Sequence, residues 1–150
     1  MIKALIDTNV VLDALATREP FHAEAERIFL LAAGEKCQGF VTANSITDIY
    51  YLVRKNASEA IAREALRNLL QVFAIVDING TDCENALESP IDDYEDALAA
   101  VCALKIGADY IITRDEGFLQ AQLPVPVVAP AGFLRIVSGC KGVEAHSASK

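Results

Sequence analysis

Short apolar runs alternate along this chain with longer segments whose apolar residues recur at helical spacing. The runs predict strands over residues 3–6, 39–42, 72–78 and 110–113, the third closed by Asn79-Gly80. Residues 125–128 predict a shorter fifth strand, set between prolines and therefore at a sheet edge, because proline cannot donate to a central ladder. Between the strands, helical periodicity covers residues 10–16, 23–33, 45–55, 59–70 and 82–87. Arg18-Glu19-Pro20 breaks the first of these and Gly34 ends the second, while Ser58 is placed to cap the fourth. The segment 94–105 is apolar almost all round after its first turn, which predicts a deeply buried helix stopped by Gly107. A turn or two of helix over 115–120 and a last helix over 131–137, entered through Pro130, complete the series.

Strands that alternate with helices are joined by right-handed crossovers, so the expected fold is α/β: a three-layer α/β/α sandwich around a mainly parallel sheet of about five strands. No internal repeat or linker divides the chain, which predicts one domain over residues 1–138. From Gly139 the periodicity is lost, and residues 139–150 read as a flexible C-terminal tail.

The order of the acids changes this picture from a fold to a site. Asp7 ends the first apolar run, Asp48 lies in the helix after the second, Asp96 sits in the first turn of the buried helix, and Asp115 follows the fourth run. If the runs are parallel strands, their carboxyl ends share one edge, where ligands of such sheets bind. Converging carboxylates raise one another's pKa values, and a divalent cation with oxygen ligands is the usual remedy. Each acid also has a plain structural explanation. Asp7 and Asp115 are placed to cap helices, and Ser45-x-x-Asp48 and Asp93-x-x-Asp96 both match capping boxes. Caps explain an acid at one helix start, but not its recurrence at each strand exit bordering the same crevice. Asn9 and Thr113 stand beside two of these acids as groups able to orient a ligating carboxylate. Arg114 is placed to grip a phosphate, or else to be solvated at the surface.

Asp7-Thr8-Asn9, an acid in the helix after the second strand, Asp93-Tyr94-Glu95-Asp96-Ala97-Leu98, and Thr113-Arg114-Asp115 with Phe118 nearby resemble the PIN domain (PilT N-terminus type), especially VapC-like toxins. The resemblance spans roughly residues 1–136. It implies a Mg²⁺- or Mn²⁺-dependent endoribonuclease leaving a 5′-phosphate, and a toxin-antitoxin pair. By matching position, Asp7, Asp96 and Asp115 would be the metal ligands. Asp48 would stand as a catalytic acid where the family usually has glutamate, one methylene longer, with Asp93 and Glu95 near enough to compensate. Among Asp92, Asp93 and Asp96, the third acid is assigned to Asp96, with Asp93 lining the same cleft. The resemblance also implies a small antitoxin with a basic segment and a homodimer, for which the helices over 23–33 and 59–70 could offer apolar surface.

Composition narrows the setting. The net charge of −8 argues against broad adhesion to nucleic acid through Lys and Arg, yet leaves room for an RNA substrate at a carboxylate-rich cleft and suits a basic protein partner. No apolar stretch approaches the roughly 18 residues of a membrane span. Cys37, Cys83, Cys102 and Cys140 lack metal-binding spacing, and reduced thiols without an export signal predict a cytoplasmic protein. Two other function classes fit parts of the pattern. Phosphoryl transfer through an aspartyl nucleophile would want an acid at position 9 and a later lysine, whereas position 9 is Asn9 and Lys105 falls at a helix end. A catalytically degenerate PIN-like interaction or RNA-docking module is the remaining alternative, kept open by Asp48.

Overall fold

A computed structural model describes the backbone of residues 1–148 and the side-chain surroundings of residues 1–139. Five parallel strands, β1 (Lys3–Ile6), β2 (Gln38–Thr42), β3 (Ala74–Val76), β4 (Tyr110–Ile112) and β5 (Val127–Val128), form one sheet in the order β3-β2-β1-β4-β5. β1 is central, paired in register Ala4 with Gly39 on one side and Leu5 with Ile111 on the other. The chain leaves β1 toward β2 on one flank and meets β4 on the other, so the strand order switches at the carboxyl end of β1. Crevices in open parallel sheets form at that point. Asp7 stands there, its N–H donating to the Ile112 carbonyl at 2.9 Å.

Alternation along β1 separates the two faces. Ala4 and Ile6 join a core with Val10 and Val11 of α1 (Thr8–Leu15), Ile28 of α2 (His22–Ala33), Ile49 of α3 (Ala43–Asn56), Leu69 of α4 (Glu59–Val72) and Phe133 of α8 (Pro130–Ala148). Leu5 faces the opposite way, toward Cys102 and Ala103 of α6 (Tyr94–Lys105) and Phe118 of α7 (Glu116–Leu119). α5 (Gly80–Leu87) packs on α6 through Ala86, Ala97 and Leu98. The layers are helix, sheet, helix, as expected, and β5 is the edge strand its prolines called for. Cys102 is fully buried, and burial pushes its thiol up to about 11, in keeping with a small core hydrophobe. Among the described residues no helix is long and apolar enough to cross a membrane.

Three local differences from the expected pattern matter. α4 runs to Val72, so β3 is confined to Ala74–Val76 rather than 72–78; Val72 packs on the core as the last helical residue. α3 begins directly at Ala43 with Thr42 as its N-cap, so Asp48 lies in the second turn and no Ser45–Asp48 capping box forms. The Ser45 hydroxyl instead meets Thr8 Oγ1 and Thr42 Oγ1, each at 2.8 Å, tying α1, β2 and α3 together below the crevice. α8 continues as helical backbone to Ala148, past Val137, where its apolar period ends and the irregular tail was expected. No proline follows Pro130 to stop it. Residues 149–150 lie outside the described backbone.

Gly107 closes α6 with φ +66°, a left-handed conformation that a side chain would strain. Gly39 has a different reason to be glycine: a Cβ there would collide with the Phe73 ring, which is itself packed edge-on against Phe29.

Candidate active site

The cleft at the carboxyl ends of β1 and β4 consists of two hollows of about 570 and 480 Å³ that share Asp93, Asp96 and Asp115. Asp7, Asn9, Asp48 and Glu95 line the first hollow as well. Four elements therefore deliver the acids: the exit of β1, the second turn of α3, the start of α6, and the exit of β4. All four sequence-assigned acids reach one cleft.

Two of the four cap readings hold, those of Asp7 and Asp93. Asp7 caps α1, Oδ1 accepting from Thr8 N–H at 2.8 Å, and Asp93 caps α6, accepting from Asp96 N–H at 3.0 Å. Asp115 occupies the cap position of α7 without a side-chain cap bond. Asp7 does more than cap. The buried Thr113 hydroxyl donates to Asp7 Oδ2 at 2.7 Å, while Thr113 Oγ1 accepts from Asn9 Nδ2 at 3.3 Å and from Asp115 N–H at 3.1 Å. Thr113 thus joins β1, α1 and the β4 exit through one oxygen. Asn9 reaches Asp7 only through Thr113.

The electrostatics follow from the same convergence. Burial raises the pKa of Asp7, against the lowering effect of the Thr113 and Thr8 bonds, and Asp115 and Asp93 raise it further. Asp96 is pushed up to about 7, first by burial, then by the neighbouring charges of Asp93, Asp7 and Asp115. Glu95 is raised by burial and then by Asp48, Asp7 and Asp93. Each of these acids feels charges carried on elements distant in sequence.

The donor set is chemically suited to a hard divalent cation: carboxylate oxygens only, mutually repulsive, with a proton held near neutrality in the cluster. Among the described residues no three such side chains already stand in ligating geometry. The reason is visible in the bonding. Both Asp7 oxygens accept local bonds, from Thr8 N–H and the Thr113 hydroxyl.

Arg114 differs from its expected use. Its Nε and Nη2 donate to Asp13 at 2.6 and 3.0 Å, and its guanidinium lies over the Phe21 ring at 4.0 Å. Both the phosphate grip and the solvated surface role give way to an internal ion pair. Asp13 itself, 1% exposed, was not singled out, and neither was Arg18, which donates to Asp13 at 2.9 Å and to the Asn9 carbonyl at 3.1 Å. The available signal was an acid directly after Val10-Val11-Leu12 in an apolar helix, since a buried carboxylate requires partners. Lys105, the lysine weighed for an aspartyl phosphotransferase, is bound to Asp82 and the Asp77 carbonyl, each at 2.6 Å. It plays no part in the acidic cleft.

Comparison with known proteins agrees with this geometry. A family profile described as PIN domain matches residues 3–117. Ribonuclease VapC1 of Aquifex aeolicus is 23% identical over 128 residues, covering 82% of this chain and 88% of that protein. Among solved structures, a toxin-antitoxin complex from Klebsiella pneumoniae superposes with a TM-score of 0.63 at 25% identity, covering 85% of this chain and 97% of the other. Mycobacterium tuberculosis VapC20, a Sarcin-Ricin loop cleaving toxin, gives a TM-score of 0.63 at 17% identity over 77% of this chain and 92% of its own.

Proposed function

The chain belongs to the PIN-domain family, and on that premise we propose that it is a metal-dependent endoribonuclease, with residues 1–138 as the nuclease unit, and the toxin of a toxin-antitoxin pair. The observation that carries the proposal is that Asp7, Asp96 and Asp115, from three separate elements, line one hollow. Similarity to a ribonuclease over most of both chains supports the substrate class.

Asp7, Asp96 and Asp115 would hold Mg²⁺ or Mn²⁺, with Asp48 and Glu95 on the α3 side of the same cleft. A dication bound there polarises a phosphoryl oxygen and lowers the pKa of an attacking water. The protein's own contribution is positional. Thr113 and the Thr8 N–H fix the two Asp7 oxygens, Asn9 fixes Thr113, and the Asp93 cap sets the first turn of α6 on which Asp96 rides. Asp96 is pushed up to about 7, so a cation held there would compete with its proton. Glu95, feeling Asp48 and Asp7 across the cleft, offsets the shorter reach of Asp48.

The acidic cleft suits a basic antitoxin segment, and one solved relative is a toxin-antitoxin complex. Exposed Leu30 on α2 and Ile61 and Leu70 on α4 support a homodimer, which light scattering after size exclusion would report as twice the monomer mass. The functional test is cleavage of structured and unstructured RNAs with Mg²⁺ or with EDTA. Cleavage that needs the metal and disappears in Asp7→Asn supports the nuclease. Equal cleavage by Asp7→Asn removes the site, and metal-linked thermal stabilisation without cleavage favours the interaction module.

A further inference from the structure

One face of α3 leads out of the acidic cluster. Asp48, Tyr51, Leu52 and Lys55 are spaced i, i+3, i+4 and i+7, so they form a single stripe, and all four line the larger hollow. Ile49 and Val53, on the opposite side of the helix, are buried in the core. Tyr51 is 60% and Leu52 40% exposed, although both are large and apolar. The Tyr51 ring lies edge-on to Tyr50 at 5.1 Å and an interplanar angle of 89°, which leaves its face open to a stacking partner. Lys55 and, across the hollow, Arg18 are the cations among its lining residues, in a chain of net charge −8. Arg18 is anchored at the rim by Asp13 and the Asn9 carbonyl.

Resting on the nuclease reading, we propose that this stripe is the arm that docks single-stranded RNA on one side of the scission point, with a base stacked on Tyr51 and a flanking phosphate on Lys55. The two hollows meeting across Asp93, Asp96 and Asp115 suit a chain that passes over the cluster rather than a compact ligand that stops at it. Seven residues of helix place Lys55 about 10 Å along the axis from Asp48, which puts its ammonium at a neighbouring phosphate and not at the one being cut. A positive rim beside an acidic centre lets a polyanion approach carboxylates that would otherwise repel it. An exposed aromatic next to cations is the arrangement by which proteins grip single strands without duplex geometry.

The test is anisotropy of a fluorescein-labelled single-stranded RNA with the full chain carrying Asp7→Asn, in Mg²⁺, to which Tyr51→Ala, Tyr51→Phe, Lys55→Gln or Arg27→Gln is added. Arg27 lies exposed on α2, away from the cleft, and controls for charge. Tyr51→Ala should weaken binding about 5- to 150-fold, with Tyr51→Phe within about twofold of its parent. Lys55→Gln should reduce the slope of log K against log salt by about 0.7, one phosphate's worth, and Arg27→Gln should leave it unchanged. Binding within twofold of the parent in both Tyr51→Ala and Lys55→Gln overturns the proposal and assigns the stripe to a protein partner, as does a parent that binds no RNA. Wild-type protein that binds through the stripe yet cuts no RNA refutes the nuclease reading and leaves the docking arm standing.

Discussion

Replacing Asp13 with alanine should destabilise the protein far more than loss of an ordinary surface ion pair. Asp13 is 1% exposed and accepts three bonds from two guanidinium groups, at 2.6 and 3.0 Å from Arg114 and 2.9 Å from Arg18. Breaking a fully buried pair costs about 3–5 kcal/mol, because the remaining charge is stranded. Here the stranded cations keep water on one side, their side chains being 30% and 39% exposed, which draws the figure to the lower end. Alanine also recovers a few tenths of a kcal/mol in helix propensity. The net loss is then about 3 kcal/mol, equivalent to about 6–12 °C in Tm for a domain of this size. An exposed pair would cost only about 0–1 kcal/mol. Thermal melting and urea denaturation, with unchanged m-value, measure the difference. A Tm loss below about 3 °C would refute the claim that this triad is a buried fastening. The same substitution frees Arg114, which lies between Thr113 and Asp115, so metal-linked stabilisation should fall with it.

Two further outcomes follow from the packing and the charges. Asp96 titrates near 7 against an ordinary value of 3.8, so between those limits the folded chain retains a proton that the unfolded chain has released. In EDTA its contribution should make stability fall as pH rises through this window, while the Tm gain from added Mg²⁺ should grow over the same range. A Mg²⁺ gain independent of pH between about 6 and 8, roughly one unit either side of that titration, would contradict the assignment. Gly39→Ala should cost about 1–3 kcal/mol, since the new methyl meets a Phe73 ring already fixed against Phe29, and Tm should drop by several degrees. An unchanged melt would show that Phe73 has room to move.

Much of the fold was legible because it depends on periodicity. The 3.6-residue stripe of α2, the apolar strand runs and the Gly107 stop each follow from local rules that tertiary packing did not override, whereas on α4 Leu69 is buried but Ile61 is exposed. Two of the acids were legible for a related reason: a parallel sheet sends strand exits to one edge, which brings Asp7 and Asp115 to the same cleft, while Asp48 and Asp96 reach it from helices. Boundaries between adjoining elements were less so. α3 follows β2 without a loop, and nothing local distinguishes a helix starting at Ala43 from one starting at Ser45. The Asp13 triad was illegible in its partners, because Arg114 is 101 residues away and only the fold brings it back to α1. The Tyr51 and Lys55 stripe was partly visible as helical spacing, but its exposure depended on knowing which face of α3 the sheet covers.

Anomalous diffraction from crystals soaked in Mn²⁺ would test most directly the claim that remote carboxylates serve one ion. The expected map has a manganese peak within bonding distance of oxygens from Asp7, Asp96 and Asp115. Manganese bound elsewhere, or no peak among these three side chains at saturating concentration, would contradict it.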